Sequence, residues 1–404
     1  MIKELYQTRI RETALSISMS QIDSVRRKNI TRSGCRVYAE GWIGISGKLG
    51  EPTDATWAAA EANLALKVPY PFEPEKNCCR KRDLRESRMS DDELIQQVED
   101  LLNELRTAYP EFIYSNKVSV TETEIILQND AGLNCRNLDR TYDISLLVKH
   151  KDSVSIFDTG IMRQDRFFNR NALLRDAAEM LGNFSIGKNL PARDKMLVVT
   201  QPDLLLGKLQ ESLNGEAVAR EASLFCGKLG RKAFAESFTL IQDRTSEQMH
   251  VPFFDAEGVQ NSGDKCALIQ NGVIVRAYSD KKNASLLGEP TTGSATCAYD
   301  EAPALVGAPL AITPAGETLQ ELLDGEEALL VAIASGGDYT GQGDYASPVQ
   351  LAMLTDGEHL LGRLPECNIR GNLFEMFGAD FVGLSSDKAL FGERALVLRM
   401  QVEL

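Results

Sequence analysis

The sequence predicts an α+β protein, in which an N-terminal antiparallel meander with helices precedes a β-rich C-terminal domain. Apolar and polar residues alternate in several stretches, as in half-buried strands, whereas other stretches repeat apolar residues at helical spacing. From residue 191 onward the chain is rich in glycine and in short strand-like pieces. We therefore expect two domains, 1–190 and 191–404, and the proline-rich break near 68–90 offers a subdivision of the first.

Strands open the N-terminal region. Leu15, Ile17 and Met19 alternate with serines, so that one face is apolar and the other is polar. This alternation is typical of a strand with one buried face. Further strand-like pieces at 35–38 and 42–45 make an antiparallel meander the expected arrangement.

Helices and hairpin strands complete this region. An alanine-rich stretch, 57–66, is expected to be helical, and prolines between 69 and 74 then interrupt regular structure. A capping box at 90–93 begins an amphipathic helix that ends at 109–110. The expected later elements are strands 118–127, 142–148 and 154–157 and a second amphipathic helix, 172–181.

A cluster of basic residues lies between the proline-rich break and the capping box. Its members are Arg80, Lys81, Arg82, Arg85 and Arg88. We interpret this segment as a solvated linker, because runs of charge are usually exposed. A patch that binds an anion or an acidic partner is the alternative.

The second domain is expected to follow a boundary at 189–194. A short buried strand, 196–200, comes next, and a helix with leucines on one face follows it. Asn271 and Gly272 join two strand-like pieces and are a strong signal for a two-residue hairpin turn. The remaining strands are expected at 238–242, 329–334 and 349–354.

Composition and charge exclude several classes of protein. The chain has 44 basic and 58 acidic residues, a net charge of −14 and a pI near 4.9. Phosphate contacts need a basic face, so nucleic acid is not an expected partner. No apolar run approaches the ~20 residues that span a bilayer, and no signal segment is recognisable at the start. Eight cysteines without a C-x-x-C pair indicate reduced thiols, so we expect a cytoplasmic protein.

Local catalytic motifs are scarce. The three histidines are His150, His250 and His359, and none is spaced to form a helical zinc motif with another. No G-x-S-x-G turn supports a serine hydrolase.

Two segments share some features with ligand sites. The glycine-rich segment 336–344 lacks the Lys-Ser/Thr of a phosphate-binding loop, and its aspartates would repel an anion, so a flexible turn or a cleft-lining loop is favoured. Asp255 and Glu257 are carboxylates two residues apart, a pattern compatible with metal binding or proton transfer. A tight turn stabilised by Asp255 is the favoured interpretation.

Several segments match the motifs of one known family in their order along the chain. They are a turn at 252–259 (P-F-F-D-A-E-G-V), a hairpin at 265–278, T-T-G-S-A at 291–295 and I-R-G-N-L at 369–373. Ser294 stands where asparagine is usual. Together they resemble the TldD/PmbA family, whose members are known as modulators of DNA gyrase, and the resemblance covers nearly the whole chain.

The resemblance also implies where a metal site would lie. In TldD-type members a helix carries H-E-x-x-x-H, in which the histidines bind zinc and the glutamate acts as a general base. Glu221 falls at the glutamate position, and Arg220 and Phe225 fall at the histidine positions. Neither side chain coordinates zinc. The region of the family's late cysteine ligand reads L-S-S-D-K at 384–388, so we expect no metal and no other cofactor.

Loss of the histidines resembles the PmbA branch, also called TldE, whose members pair with a zinc-binding TldD-type subunit in a peptidase. The resemblance implies a dimer with a TldD-type subunit or with itself, a peptide or unfolded segment as substrate, and no activity alone. Two alternatives stay open. One is a free-standing scaffold that binds peptides or, through Arg80 to Arg88, an acidic partner. The other is a hydrolase that uses Glu221 with Asp255 or Glu257.

Overall fold

A computed structural model describes residues 1–86, 88–191 and 193–404 of the chain. Its N-terminal part is an eight-stranded sheet with three helices, and its C-terminal part is rich in short strands, so the α+β class is confirmed. The N-terminal strands are β1 (Ile2–Ser18), β2 (Gln21–Ala39), β3 (Trp42–Leu49), β4 (Val68–Pro69), β5 (Cys78–Asp83), β6 (Phe112–Asn129), β7 (Leu133–His150) and β8 (Thr159–Asp165). The helices are α1 (Asp54–Ala62), α2 (Asp91–Ala108) and α3 (Arg170–Asn183).

The N-terminal sheet is antiparallel except at one pair. Its order is β4-β3-β2-β1-β6-β7, and β5 and β8 both lie along the outer edge of β7. Of these two, β5 pairs in parallel with residues 133–138 and β8 pairs antiparallel with residues 142–148. The long hairpins follow from the alternation of buried and exposed residues that the sequence shows.

The C-terminal strands are β9 (Met196–Thr200), β10 (Leu240–Asp243), β11 (Lys265–Gln270), β12 (Val273–Ile274), β13 (Ala295–Thr296), β14 (Ala304–Leu305), β15 (Leu310–Ile312), β16 (Ala328–Ala334), β17 (Asp338–Tyr339), β18 (Asp344–Thr355), β19 (Leu360–Leu364), β20 (Cys367–Asn372), β21 (Phe381–Leu384) and β22 (Leu396–Glu403). The helices are α4 (Asp203–Ser212), α5 (Gly215–Ala219), α6 (Lys281–Leu287), α7 (Leu319–Leu323) and α8 (Leu373–Met376).

Five of these strands form a closed ring. The pairing runs β16-β9-β22-β20-β18, and β18 pairs again with β16, with β17, β19 and β21 attached at the side. A second sheet, β12-β11-β10-β15, packs against the ring through an apolar core.

The two parts share a hydrophobic core. One cluster of buried side chains contains Leu101 of α2, Ile144 of β7 and Leu173 of α3 together with Val199 of β9 and Leu330 of β16. Helices α2 and α3 therefore fill the space between the N-terminal sheet and the ring. The division at residues 190 and 191 stays a prediction, and Ala192 of the predicted boundary lies outside the described residues.

The predicted solvated linker is wrong for residues 78–83, which form β5, whereas Lys81, Arg85 and Arg88 are exposed as expected. Arg80 and Arg82 of β5 make contacts with the C-terminal part. Arg80 donates two hydrogen bonds of 2.6 Å to the carboxylate of Asp264, and Arg82 donates to the carbonyl oxygens of Arg244 and Val251, both at 2.6 Å. These partners lie more than 160 positions away in the chain, so local charge patterning gave no sign of them.

The predicted strand at 154–157 is also wrong. This segment is a loop, and the side chains of Val154 and Ile156 are almost fully exposed. Strand β8 begins only at Thr159. Alternation alone predicted a strand here, but the apolar residues face solvent instead of the core.

Candidate functional site

The three residues that the family motif singles out do not form a site. Helix α5 ends at Ala219, so Arg220 and Glu221 lie in the turn that follows it and not on a helix. Glu221 is exposed and has a left-handed backbone, with φ of 56°. Phe225 is fully buried, and its ring packs 5.8 Å from that of Phe234. The helical placement that we expected for these positions is therefore wrong.

Helix α5 itself has a well-defined start. The Asn214 side chain accepts hydrogen bonds from the backbone N–H groups of Glu216 and Ala217, at 2.9 and 3.2 Å. Gly215 is buried, and a Cβ atom there would lie 2.6 Å from the carbonyl oxygen of Tyr278. No side chain fits at Gly215 unless the neighbouring backbone moves.

An ion pair closes the other end of this helix. The Arg220 guanidinium lies 2.6 Å from the Glu216 carboxylate, and both side chains are more than one-third exposed. Such a pair contributes little to stability, on the order of 0.5 kcal/mol. It does keep a cation beside the only carboxylate on α5.

The three histidines contact different parts of the molecule. The Nε2 atom of His250 lies 2.7 Å from the Thr141 hydroxyl, and the Nδ1 atom of His359 lies 3.1 Å from the Glu179 carboxylate. The ring of His150 packs edge-on against Phe112. Across the described residues, no three His, Cys, Asp or Glu side chains are grouped so that they could hold a metal ion.

The segment at the late cysteine position has a structural role. The Ser385 hydroxyl accepts a hydrogen bond from the Ala395 backbone N–H at 2.9 Å and donates one to the Asp387 carbonyl oxygen at 2.8 Å. The Asp387 carboxylate accepts from the Leu319 N–H at the start of α7, at 2.9 Å. These contacts join β21, β22 and α7.

Asp255 and Glu257 form a buried acidic turn. The Asp255 carboxylate accepts hydrogen bonds of 2.9 Å from the backbone N–H groups of Glu257, Val259 and Ala295. Burial raises the pKa of Asp255, although Arg244 and these three donors oppose the shift. The favoured interpretation from the sequence, a tight turn stabilised by Asp255, agrees with this geometry.

Glu257 faces the N-terminal sheet. Its carboxylate accepts hydrogen bonds from the Tyr70 hydroxyl at 2.7 Å and from the Lys281 N–H at 2.9 Å. Burial and the negative charge of Asp255 raise the pKa of Glu257 to about 7. This carboxyl group therefore changes charge near neutral pH inside the contact between the N-terminal and C-terminal parts.

A buried arginine continues this contact. Arg36 has no exposed surface, and its guanidinium donates to the Glu4 carboxylate at 3.2 Å, to the Ala256 carbonyl oxygen at 2.7 Å and to the Cys297 sulfur at 2.7 Å. Arg36 comes from β2, whereas Ala256 and Cys297 belong to the C-terminal part. The polar groups at the contact between the N-terminal and C-terminal parts are thus largely hydrogen-bonded to one another.

The glycine-rich segment 336–344 includes β17 and a turn at the edge of the ring. The Thr340 N–H donates to the Asp344 carbonyl oxygen at 2.8 Å, and the Tyr339 hydroxyl donates to the Leu205 carbonyl oxygen at 2.9 Å. These contacts agree with the turn favoured from the sequence.

A cleft that sequence reasoning missed lies between β8 and β16. Its volume is about 240 Å³, and β9, α3 and the loop 390–395 complete its walls. Thr159 of β8 contributes a fully buried side chain whose hydroxyl has no hydrogen-bond partner among the described residues. No sequence signal marked this place, because the two strands are about 170 residues apart.

Comparisons with known proteins agree on one family. Residues 194–396, about half of the chain, match the family model described as PmbA/TldA metallopeptidase C-terminal domain. A metalloprotease of Methanothermobacter thermautotrophicus is 26% identical over 204 residues, which is 47% of this chain and 44% of that protein. A zinc metalloprotease TldD homolog of Saccharolobus solfataricus is 24% identical over 300 residues, which is 69% of this chain and 64% of that protein. The matches thus span less than two thirds of these relatives.

The fold is also found in a solved structure. The crystal structure of TldE from Thermococcus kodakarensis has a TM-score of 0.83 and 18% sequence identity, and the match covers 100% of this chain and 97% of that one. At this identity the likeness shows the fold alone. A separate finding concerns membranes: in the described part of the chain, no helix is both long and apolar enough to cross a bilayer.

Proposed function

Because this chain belongs to the PmbA/TldD family of metallopeptidases and their relatives, we propose that it is the subunit without metal in a TldD/TldE-type peptidase. In this proposal a TldD-type partner binds the zinc, and this chain binds and positions the peptide. The chain on its own is inactive.

The observation that carries the proposal is the sequence of helix α5. The family motif requires a helix, and α5 with the residue after it reads G-E-A-V-A-R from Gly215 to Arg220. Its second residue, Glu216, is a glutamate, as in H-E-x-x-x-H. The motif is therefore aligned five residues earlier in the chain than the alignment that placed its glutamate at Glu221. Glycine and arginine then occupy the two ligand positions, and neither side chain binds zinc.

The surroundings of α5 support the same conclusion. Gly215 has no room for an imidazole, because even a Cβ would meet the Tyr278 carbonyl oxygen. The Glu216 carboxylate pairs with Arg220, which occupies the second ligand position. The ligand set is therefore replaced by groups that pack and pair among themselves.

In the proposed complex, a zinc ion held by the partner would supply the activation of water for attack on the peptide bond. The residues of this chain would close the chamber and hold the peptide in an extended form, as strand edges do for bound peptides. We also propose that 1–190 and 191–404 are its two domains and that the complex is cytoplasmic.

The two alternatives receive less support. For a scaffold that captures an acidic partner, Arg80 and Arg82 are already bonded to Asp264 and to backbone carbonyls, which leaves only part of the basic cluster exposed. A hydrolase that pairs Glu221 with Asp255 needs both groups in one accessible place. Glu221 is exposed, whereas Asp255 is buried and saturated with N–H donors.

Co-purification from the native host tests the proposal. A tag on this chain should recover a stoichiometric chain that carries H-E-x-x-x-H, and the pair should bind zinc and cleave a casein-derived peptide. Absence of such a chain, with zinc bound by this protein alone, would overturn the proposal.

A restoration experiment tests the register. Replacement of both Gly215 and Arg220 by histidine should not create a zinc site, because the first substitution clashes with Tyr278. Stoichiometric zinc in a folded double variant would show that α5 keeps ligand geometry. The matched control is Arg220→His alone, which places one imidazole on the exposed end of α5.

A further inference from the structure

We propose that the cleft between β8 and β16 binds an extended peptide segment, which adds as a strand to the free edge of β8 and places one apolar side chain in the cavity. The inference rests on the proposed function, because it assigns the place where this subunit holds the peptide.

The first support is a pair of unpaired strand edges. Within the described residues, β8 pairs only with β7, so its other edge is free. Strand β16 pairs with β9 only at Leu329 and Leu330, because β9 ends at Thr200. Its last residues, 332–334, pair with no strand on that side in the described ranges, and they line the same cleft as Thr159 and Met162 of β8. Free backbone groups of this kind are the ones that an added strand satisfies.

The second support is the buried hydroxyl of Thr159. Its side chain is fully buried and lines the cleft, yet in the described part of the chain its oxygen atom has no hydrogen-bond partner. A buried hydroxyl without a partner is destabilising, and native proteins keep few of them. Because the hydroxyl has no accessible surface in the free protein, a backbone group of a bound peptide would supply the missing partner once the side chains that cover it move aside.

The third support is the size and lining of the cavity. Its volume of about 240 Å³ is below the range of ~300–1,000 Å³ that is typical of pockets for whole small molecules. Most of its lining is apolar, including Met180, Val199 and Leu330. It fits one side chain of a ligand whose main chain runs along the strand edge outside.

A strained turn forms one wall of the cleft. Phe391 and Gly392 both have positive φ, 54° and 73°, in a tight turn between Leu390 and Glu393. Left-handed backbone is costly for a bulky aromatic residue. The turn depends on Gly392 because its φ of 73° is strained for any residue with a side chain.

The main test measures peptide binding to the full chain. The probe is fluorescein-labelled, reduced and carboxymethylated insulin B chain, which is extended and partly apolar, and its binding is followed by fluorescence anisotropy. Ala332→Trp fills the cleft and should weaken binding at least about 10-fold, since the side-chain pocket and the strand edge are both blocked. The control is Ala59→Trp on the exposed face of α1, which should bind like the unmodified chain.

A second variant keeps the result interpretable if Ala332→Trp unfolds the protein. Thr159→Val keeps the shape of the side chain and removes only the hydroxyl. It should raise the Tm of the free protein, because an unpaired buried polar atom disappears, and weaken peptide binding about 3- to 10-fold. A structural role for the hydroxyl would instead lower the Tm and leave binding unchanged.

Photo-crosslinking locates the peptide directly. Benzoylphenylalanine at Met162, which is half-exposed on β8, should crosslink the probe, and the same group at the exposed Leu66 should not. Unchanged binding in folded Ala332→Trp and Thr159→Val would overturn the inference, and so would a chain that does not bind the probe. A self-dimer that Ala332→Trp disrupts, without peptide binding, would also overturn it by assigning the cleft to a second copy. Recovery of a zinc-binding partner is measured separately, so the proposed function and the cleft can fail independently.

Discussion

Replacement of Glu257 by glutamine should reveal a buried carboxyl group that destabilises the protein at neutral and higher pH. Burial and the nearby Asp255 raise the pKa of Glu257 from about 4.5 to about 7. Below pH 4.5 the group is protonated in both the folded and the unfolded chain. Between pH 4.5 and 7 only the unfolded chain loses the proton, so the free energy of unfolding falls as the pH rises, and it is level again above 7.

The size of this effect follows from the shift. A difference of about 2.5 pKa units corresponds to about 3 kcal/mol at 1.36 kcal/mol per unit. Glutamine does not ionise but loses part of the hydrogen bonding to Tyr70 and Lys281, which costs about 1 kcal/mol at every pH. The variant should therefore be less stable than the unmodified chain at pH 4.5 and more stable at pH 8.

Urea unfolding, followed by tryptophan fluorescence, measures this crossover. The control is Glu221→Gln, an exposed site where the free energy of unfolding should change by less than about 0.5 kcal/mol at both pH values. A difference between Glu257→Gln and the unmodified chain that does not vary with pH would refute the reasoning. So would a variant that is relatively less stable at pH 8 than at pH 4.5.

Two further predictions concern backbone contact and surface charge. Gly34→Ala should destabilise the protein by about 2 kcal/mol or more in thermal unfolding. The added Cβ would lie 1.9 Å from the Tyr299 carbonyl oxygen, and only a backbone shift can relieve this clash. Gly182→Ala in α3 has open space around it and should stabilise by up to about 1 kcal/mol, so equal effects at both sites would contradict this account. The Glu179 carboxylate raises the pKa of His359. An NMR titration should therefore show a lower pKa for His359 in Glu179→Gln, and an unchanged pKa would exclude the ion pair.

Local signals were enough to predict the long helices. The capping box of α2 is present in full, since the Ser90 hydroxyl accepts from the Glu93 N–H and the Glu93 carboxylate accepts from the Ser90 N–H. Its apolar residues, such as Leu94 and Leu101, are buried. Both features depend on residues within one or two turns, so the sequence alone specifies them.

Contacts between distant segments were not predictable in this way. Strand β5 is a short, highly charged run that pairs in parallel with β7, and Arg80 is held by Asp264, which is 184 positions away. The alternation at 154–157 had no partner strand, so it became a loop. In each case a partner from elsewhere in the chain, or its absence, decided the local structure.

The candidate site shows the same contrast between local signals, which the sequence predicts, and contacts between distant segments, which it does not. The sequence predicted that the zinc ligands are absent, because Arg220 and Phe225 fall at the histidine positions beside Glu221. It placed these residues on a helix, whereas the helix in this region ends at Ala219 and contains Glu216. The cleft at Thr159 needed the packing of β8 against β16, which no local pattern encodes.

The zinc content of the purified proteins tests the central claim most directly. This chain alone should carry no stoichiometric zinc and should not cleave peptides. The complex with its TldD-type partner should carry one zinc per pair, and mutation of the partner's motif should remove the metal while Glu216→Gln in this chain leaves it in place. One equivalent of zinc on this chain alone, lost when His150, His250 or His359 is replaced, would contradict the account.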